Sequence, residues 1–151
     1  MKKYYLAYGS NLNLNQMKAI CPTSKLIGKT ILNDYRLVFK GRGKGFLTVE
    51  ESLNSLVPIG VFEITELDEH NLDWYEGYPT LYTKKTISVI FNGQKIEGLI
   101  YIMNHNYTYS LPDMKYITTC TEGYNNFGFN RAILSEAFEY SLNNLEKKLI
   151  K

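Results

Sequence analysis

The sequence predicts a mixed α and β domain, α+β in class, on three observations. Runs with strand-like alternation recur from Tyr4 to Met103. One of them is folded back on itself by Asn92-Gly93, the strongest short hairpin signal in the chain. Stretches with helical spacing, opened by capping residues, interrupt these runs and close the chain.

The elements follow in order. Tyr4-Tyr5-Leu6-Ala7-Tyr8 is a short strand that ends abruptly in Gly9-Ser10-Asn11, residues suited to a turn and to presenting backbone N–H groups. Asn13 caps a short helix with Leu14 and Met17 on one side, stopped by Pro22. Leu26 to Phe39 reads as a strand broken near Asn33-Asp34. Residues 41–45, Gly-Arg-Gly-Lys-Gly, read as a flexible connection into a strand at Phe46 to Val49, and another strand spans Val57 to Ile64. Thr65 to Asp68 forms a capping box, after which Leu67, Asn71, Trp74 and Tyr75 recur at helical spacing up to the terminator Gly77. Glu76 therefore closes a helix. Tyr82 to Phe91 and Lys95 to Met103 are the arms of the Asn92-Gly93 hairpin. Pro112 sits in the first turn of a helix with Ile117 and Cys120 on one face and Gly123 at its end. Asn130 caps a closing helix to about Lys148, with Ile133, Leu134, Ala137, Phe138, Leu145 and Leu149 as one apolar stripe.

Composition narrows the function classes. The 151 residues are 44% hydrophobic and 21% charged, as expected of one globular domain over residues 1–151, and no repeat, low-complexity tract or linker divides them. Seventeen Lys and Arg against fifteen Asp and Glu leave a net charge of +2, scattered along the chain, which argues against a nucleic-acid or other polyanion partner. No apolar run approaches the roughly 20 residues that span a bilayer. Met1-Lys2-Lys3 leads into tyrosines rather than a signal segment, so a soluble cytoplasmic protein without a membrane partner is expected. Cys21 and Cys120 stand too far apart for a CxxC motif, and with His70 and His105 as the sole histidines no metal site is expected. Thirteen tyrosines are unusual; they suit either a polar pocket or strand positions in a barrel-like sheet.

Several motifs fail on inspection. Gly43-Lys44 resembles the end of a phosphate loop, but Gly45 stands where Ser or Thr must hold magnesium and Val38 where the first Gly belongs. A dinucleotide fingerprint fails at Phe46. Arg42 and Lys44 still offer cations to an anionic substrate. Ser10 lacks the second glycine of a nucleophile elbow, and neither histidine has a context that would orient it as a base. Both histidines read as surface residues. Glu76 admits two readings. At a helix C-terminus beside Trp74, Tyr75 and Tyr82 its ionised form is disfavoured, as an acid/base glutamate requires. The commoner alternative is a solvated helix-end carboxylate.

Tyr8-Gly9-Ser10-Asn11-Leu12 after the first strand, together with Leu72-Asp73-Trp74-Tyr75-Glu76-Gly77-Tyr78 followed by Tyr82, resembles the γ-glutamylcyclotransferase-like family. The similarity extends through Asp34 to Phe39, Leu47-Thr48-Val49, Pro58 to Phe62 and Tyr116-Ile117, and so covers nearly the whole chain. It is looser at residues 123–129. The resemblance implies a small domain with a largely antiparallel, barrel-like sheet and flanking helices, its pocket at the barrel mouth. It implies Glu76 as the catalytic residue and Tyr8, Gly9, Ser10, Asn11, Leu12, Tyr82 and Tyr116 as substrate-binding residues. The reaction it implies turns a γ-glutamyl amine or γ-glutamyl amino acid into 5-oxoproline and a free amine. The substrate's own α-amine is the nucleophile, so no cofactor or metal is called for.

Three other functions compete with this reading. Hydrolysis or aminoacyl transfer at the same pocket differs in yielding free glutamate rather than 5-oxoproline. A non-catalytic small-molecule-binding module would have little use for a poised acid/base. Single-stranded nucleic-acid binding on exposed tyrosines finds no support in the net charge. The acceptor side of the pocket is expected from loops 41–45, 104–111 and 123–129.

Overall fold

A computed structural model describes residues 2–145. Its elements run β1 (Lys3–Ala7), a 3₁₀ turn (Ser10–Leu12), α1 (Leu14–Ile20), β2 (Lys25–Arg42), β3 (Lys44–Ile64), α2 (Glu66–Glu76), β4 (Tyr82–Phe91), β5 (Gln94–Met103), β6 (Thr108–Tyr109), α3 (Met114–Phe127) and α4 (Ala132–Leu145). The strands form one sheet in the order β4-β5-β1-β3-β2-β6. Every pairing is antiparallel except that of β1 with β5, which matches Tyr4 to Gly98 and Tyr5 to Leu99. The sheet curls into a half-barrel, so that β2 meets the far strand β4, where the Thr30 hydroxyl donates to the Ile90 carbonyl at 2.5 Å. The core fills the curl, and Leu6, Val61, Leu72 and Ile100 are wholly buried in it.

The α+β class and the central hairpin match the sequence expectation. Asn92 and Gly93 take φ of 51° and 78°, both positive as a two-residue hairpin turn of this hand demands. Thr65 and Asp68 close the capping box in both directions, and Gly77 ends α2 with φ 66°. Asn13 caps α1 by accepting from the Gln16 N–H, and the Asn130 side chain accepts from Ala132 N. Of the expected closing helix, Lys148 and Leu149 lie outside the described residues.

Five expectations are corrected. Residues 41–45 are not a flexible loop but the tip of the β2–β3 hairpin, turning at Gly43 with φ 84°. A Cβ on Gly45 would lie 2.0 Å from the Ser110 carbonyl oxygen, so glycine there serves the close approach of a neighbouring segment rather than mobility. The two strands expected at 46–49 and 57–64 are one, β3, and the break near Asn33-Asp34 is an irregularity in the β2–β3 ladder where residues 52–55 bulge outward. Gly123 does not end α3: Asp113 caps it and Gly128, at φ 72°, terminates it. Loop 104–111 contributes strand β6, paired to Lys40 and Gly41. On α2 the spacing mistook the inner face: Asp68 and Leu72 are buried, while Leu67 and Trp74 face solvent.

Candidate active site

The site arises from a gap in the sheet. β1 separates β3 from β5 only as far as Ala7, which pairs with Gly60. Beyond it the facing backbones of β3 and β5 have no strand between them, and buried polar groups must find other partners. Side chains supply them. The Tyr82 hydroxyl donates to the Leu47 carbonyl at 2.7 Å, and the Leu47 N–H donates to the Tyr116 hydroxyl at 3.0 Å. The Met103 N–H donates to Thr48 Oγ1 at 2.9 Å, and the Tyr8 hydroxyl donates to the Tyr101 carbonyl at 2.6 Å. Four side-chain bonds thus stand where ladder bonds would be, leaving a narrow cavity of about 20 Å³ between them.

Into this cavity α2 projects Glu76. The capping box and Gly77 fix the length of the helix, so its last residue falls at the cavity wall. The glutamate is half-buried as a residue, yet among the described residues its carboxyl has no ion pair or hydrogen bond. Burial raises it from the ordinary 4.5 to about 8. The tyrosine wall strips much of the water from its charge and offers no compensating partner. Trp74 has no part in this, because it stands 88% exposed on another face of α2. Burial first, and then the Glu76 charge, holds the hydroxyls of Tyr5 and Tyr8 well above 10, so they stay protonated at any working pH.

The structure brings Tyr8, Gly9, Ser10, Asn11, Glu76, Tyr82 and Tyr116 together around this one space, from four separate stretches of chain. Leu12 does not line it; the side chain is buried in the core beside Gly60 and Gly123. Sequence reasoning missed Tyr5, Leu47 and Tyr101, which also line the cavity. Tyr5 and Tyr101 sit in runs too uniformly apolar for a period of two to assign their face. Arg42 stacks over Tyr107 and Lys44 pairs with Asp113, so neither cation reaches the cavity. None of the residues of 41–45, 104–111 or 123–129 lines it. His70 and His105 are exposed, as expected of surface residues.

A second layer fixes the turn. Gln16 Nε2 donates to Ser10 Oγ at 2.9 Å and to Asn11 Oδ1 at 3.0 Å. Asn11 Nδ2 donates to the Tyr5 hydroxyl at 3.0 Å. The backbone N–H groups of Gly9, Ser10 and Asn11 have no partner among the described residues, leaving them as donors. Below the cavity the Tyr101 hydroxyl donates to Asp73 at 2.6 Å, and Lys84 bridges Asp73 and Glu69 at 3.0 and 2.8 Å. Larger hollows exist, such as an apolar groove of about 390 Å³ lined by Phe39, Ile117, Cys120, Leu134 and Phe138. Chemistry rather than size marks the small cavity, where a carboxyl without a partner meets hydroxyl and amide donors.

Residues 5–119 match the family described as gamma-glutamyl cyclotransferase, AIG2-like, and the chain belongs to that family. Solved structures share the fold. A gamma-glutamyl cyclotransferase superposes with a TM-score of 0.80 at 22% identity, covering 91% of this chain and 86% of its own. An uncharacterized protein from Homo sapiens gives 0.76 at 23% identity, over 94% and 85% of the two chains. YkqA from Bacillus subtilis gives 0.74 at 14% identity, over 93% of this chain and 54% of its own. No curated protein sequence matches the chain.

Proposed function

We propose that the protein is a cyclotransferase that converts a γ-glutamyl amine or γ-glutamyl amino acid into 5-oxoproline and the free amine, with Glu76 as general acid and base. The observation that carries this reading is the carboxyl itself: free of partners, walled by tyrosines and raised to about 8, where proton exchange with an amine is nearly balanced. Ionised Glu76 takes a proton from the substrate's α-ammonium. The freed amine attacks the γ-carbonyl carbon, the new C–N bond closes the five-membered ring, and the old amide C–N bond breaks. Two protons pass in turn from the α-nitrogen to the departing nitrogen, which leaves as an ammonium, and Glu76 ends as the carboxylate it began. The free N–H groups of Gly9, Ser10 and Asn11 suit the substrate carboxylate, and Gly9 admits the approach. Tyr8, Tyr82 and Tyr116 form the wall against which the substrate is held.

Release of 5-oxoproline from a panel of γ-glutamyl amines and γ-glutamyl dipeptides tests this. Glu76→Gln keeps the shape of the side chain but cannot shuttle a proton, so turnover falls by about 10²–10⁴-fold with no loss of melting temperature. An equal rate in the Gln variant refutes the role of Glu76. Free glutamate as product indicates hydrolysis instead. Substrate binding without turnover by the unaltered protein leaves a binding module at the same pocket.

A further inference from the structure

The cavity contains five tyrosines, and their hydroxyl protons are not equivalent. Three are already spent within the protein: Tyr8 donates to the Tyr101 carbonyl, Tyr82 to the Leu47 carbonyl and Tyr101 to the Asp73 carboxylate. Tyr116 instead receives a hydrogen bond, from the Leu47 N–H. Tyr5 receives one too, and its direction is set by a chain of donors. Gln16 Nε2 occupies Asn11 Oδ1, which leaves Asn11 only its NH₂ to turn toward Tyr5. The Tyr5 oxygen therefore acts as acceptor, and its own proton has no acceptor among the described residues. The ring is 4% exposed and lines the same cavity as Glu76.

We propose that Tyr5 is a further catalytic residue, whose hydroxyl, turned by Asn11 and Gln16, donates a hydrogen bond to the substrate's γ-carbonyl oxygen as ring closure makes it negative. This rests on the cyclotransferase reading. No proton changes owner in the step: the C=O electrons move to oxygen as the C–N bond forms and return as the leaving nitrogen departs, with the hydroxyl as donor throughout. A phenol held well above its ordinary 10 suits the task, since it stabilises the oxyanion without surrendering its proton. Gln16 and Asn11 act as positioning residues. Without the Gln16 contact the Asn11 amide can reverse, accept from Tyr5 and draw the proton out of the cavity.

The test compares Tyr5→Phe with Tyr8→Phe, two single hydroxyl deletions in one cavity. Tyr5→Phe is expected to lower kcat by about 10²-fold with KM nearly unchanged and the melt retained. Tyr8→Phe, which loses a proton spent on the scaffold, is expected to lower the melting temperature and to affect kcat less. Calorimetric titration with 5-oxoproline, whose ring carbonyl derives from the γ-carbonyl, gives a second readout, and Tyr5→Phe is expected to weaken binding severalfold. If the unaltered protein turns over a panel member and Tyr5→Phe keeps kcat within twofold, the proposal is overturned. If the protein turns over nothing yet binds 5-oxoproline in a Tyr5-dependent way, the donor role stands and the cyclotransferase reading falls. Neither turnover nor Tyr5-dependent binding overturns both.

Discussion

Burial of Glu76 costs stability, and that cost can be separated by pH from the catalytic role proposed for it. In the unfolded chain a glutamate loses its proton near the ordinary 4.5, whereas in the fold Glu76 keeps it until about 8. Between these values the native state binds more protons, so its stability falls as pH rises through that window. Glu76→Gln should therefore melt like the unaltered protein at pH 4 and above it at pH 8. Residual water access to a half-buried residue limits the gap to the order of 2 kcal/mol. With ionised Glu76 as the proposed base, kcat/KM on any panel substrate should rise with pH up to about 8 and then level. A profile already flat from pH 6 would mean that the carboxyl titrates low and is not the base. Tyr82 sits at the same wall with the opposite balance. Its hydroxyl is committed to the Leu47 carbonyl, so Tyr82→Phe leaves a buried acceptor unpaired. That should cost about 1–3 kcal/mol of stability, while turnover falls by less than in Glu76→Gln; denaturant melts and 5-oxoproline release measure the two.

At the scale of elements, the turn after β1 depends on a helix that follows it by a hundred residues. α3 lies against the 3₁₀ turn so closely that a Cβ on Gly123 would come within 2.5 Å of the Asn13 nitrogen and 2.7 Å of the Leu12 carbonyl carbon. Backbone cannot swing aside as a flexible side chain can. Asn13 adds bonds to the Thr119 carbonyl and the Glu122 carboxylate, and the Leu14 N–H donates to the Asn126 side chain, so the two elements are also tied by polar contacts. Gly123→Ala improves helix propensity in isolation, yet here it should destabilise by about 1–3 kcal/mol, because overpacking forces α3 off the turn. Turnover should fall beyond what lost stability explains, since Ser10 and Asn11 move with the turn. A stabilised and fully active Gly123→Ala protein would show that α3 yields without cost.

Across the whole molecule, α2 is held to the sheet by charge as well as by Leu72. Lys84 on β4 bonds Glu69 and Asp73 on α2, Lys3 of β1 reaches Glu69, and the Tyr101 hydroxyl on β5 meets Asp73. The hydrogen bonds from the two lysines hold Glu69 below the usual carboxylate range against the opposing effect of burial. Its contribution is present above the unfolded carboxylate range and is lost as pH falls through the lowered value. Lys84→Met should leave two carboxylates one turn apart without their shared cation and cost about 1–2 kcal/mol at pH 7. The loss should shrink as pH falls below 4, which a series of melts would detect. The elements themselves were legible in the sequence because caps, turns and terminators are local: Thr65 with Asp68, Asn92-Gly93 and Gly77 act within a few residues of where they stand. The same locality placed Glu76 at the end of a helix and the Tyr8 to Asn11 turn at the end of a strand. Where glycine serves a distant neighbour, local logic misled, as at Gly45 beneath Ser110 and Gly123 against Asn13. What the sequence alone determined is the α+β class, the order of most of its elements and the residue types gathered at two short motifs. Only the tertiary structure decided that β1 stops short between β3 and β5, that tyrosines far apart in sequence close the gap, and that Glu76 is turned toward them. Desolvation of a carboxyl and the direction of a hydroxyl depend on groups brought together by folding, and neither property belongs to any segment by itself.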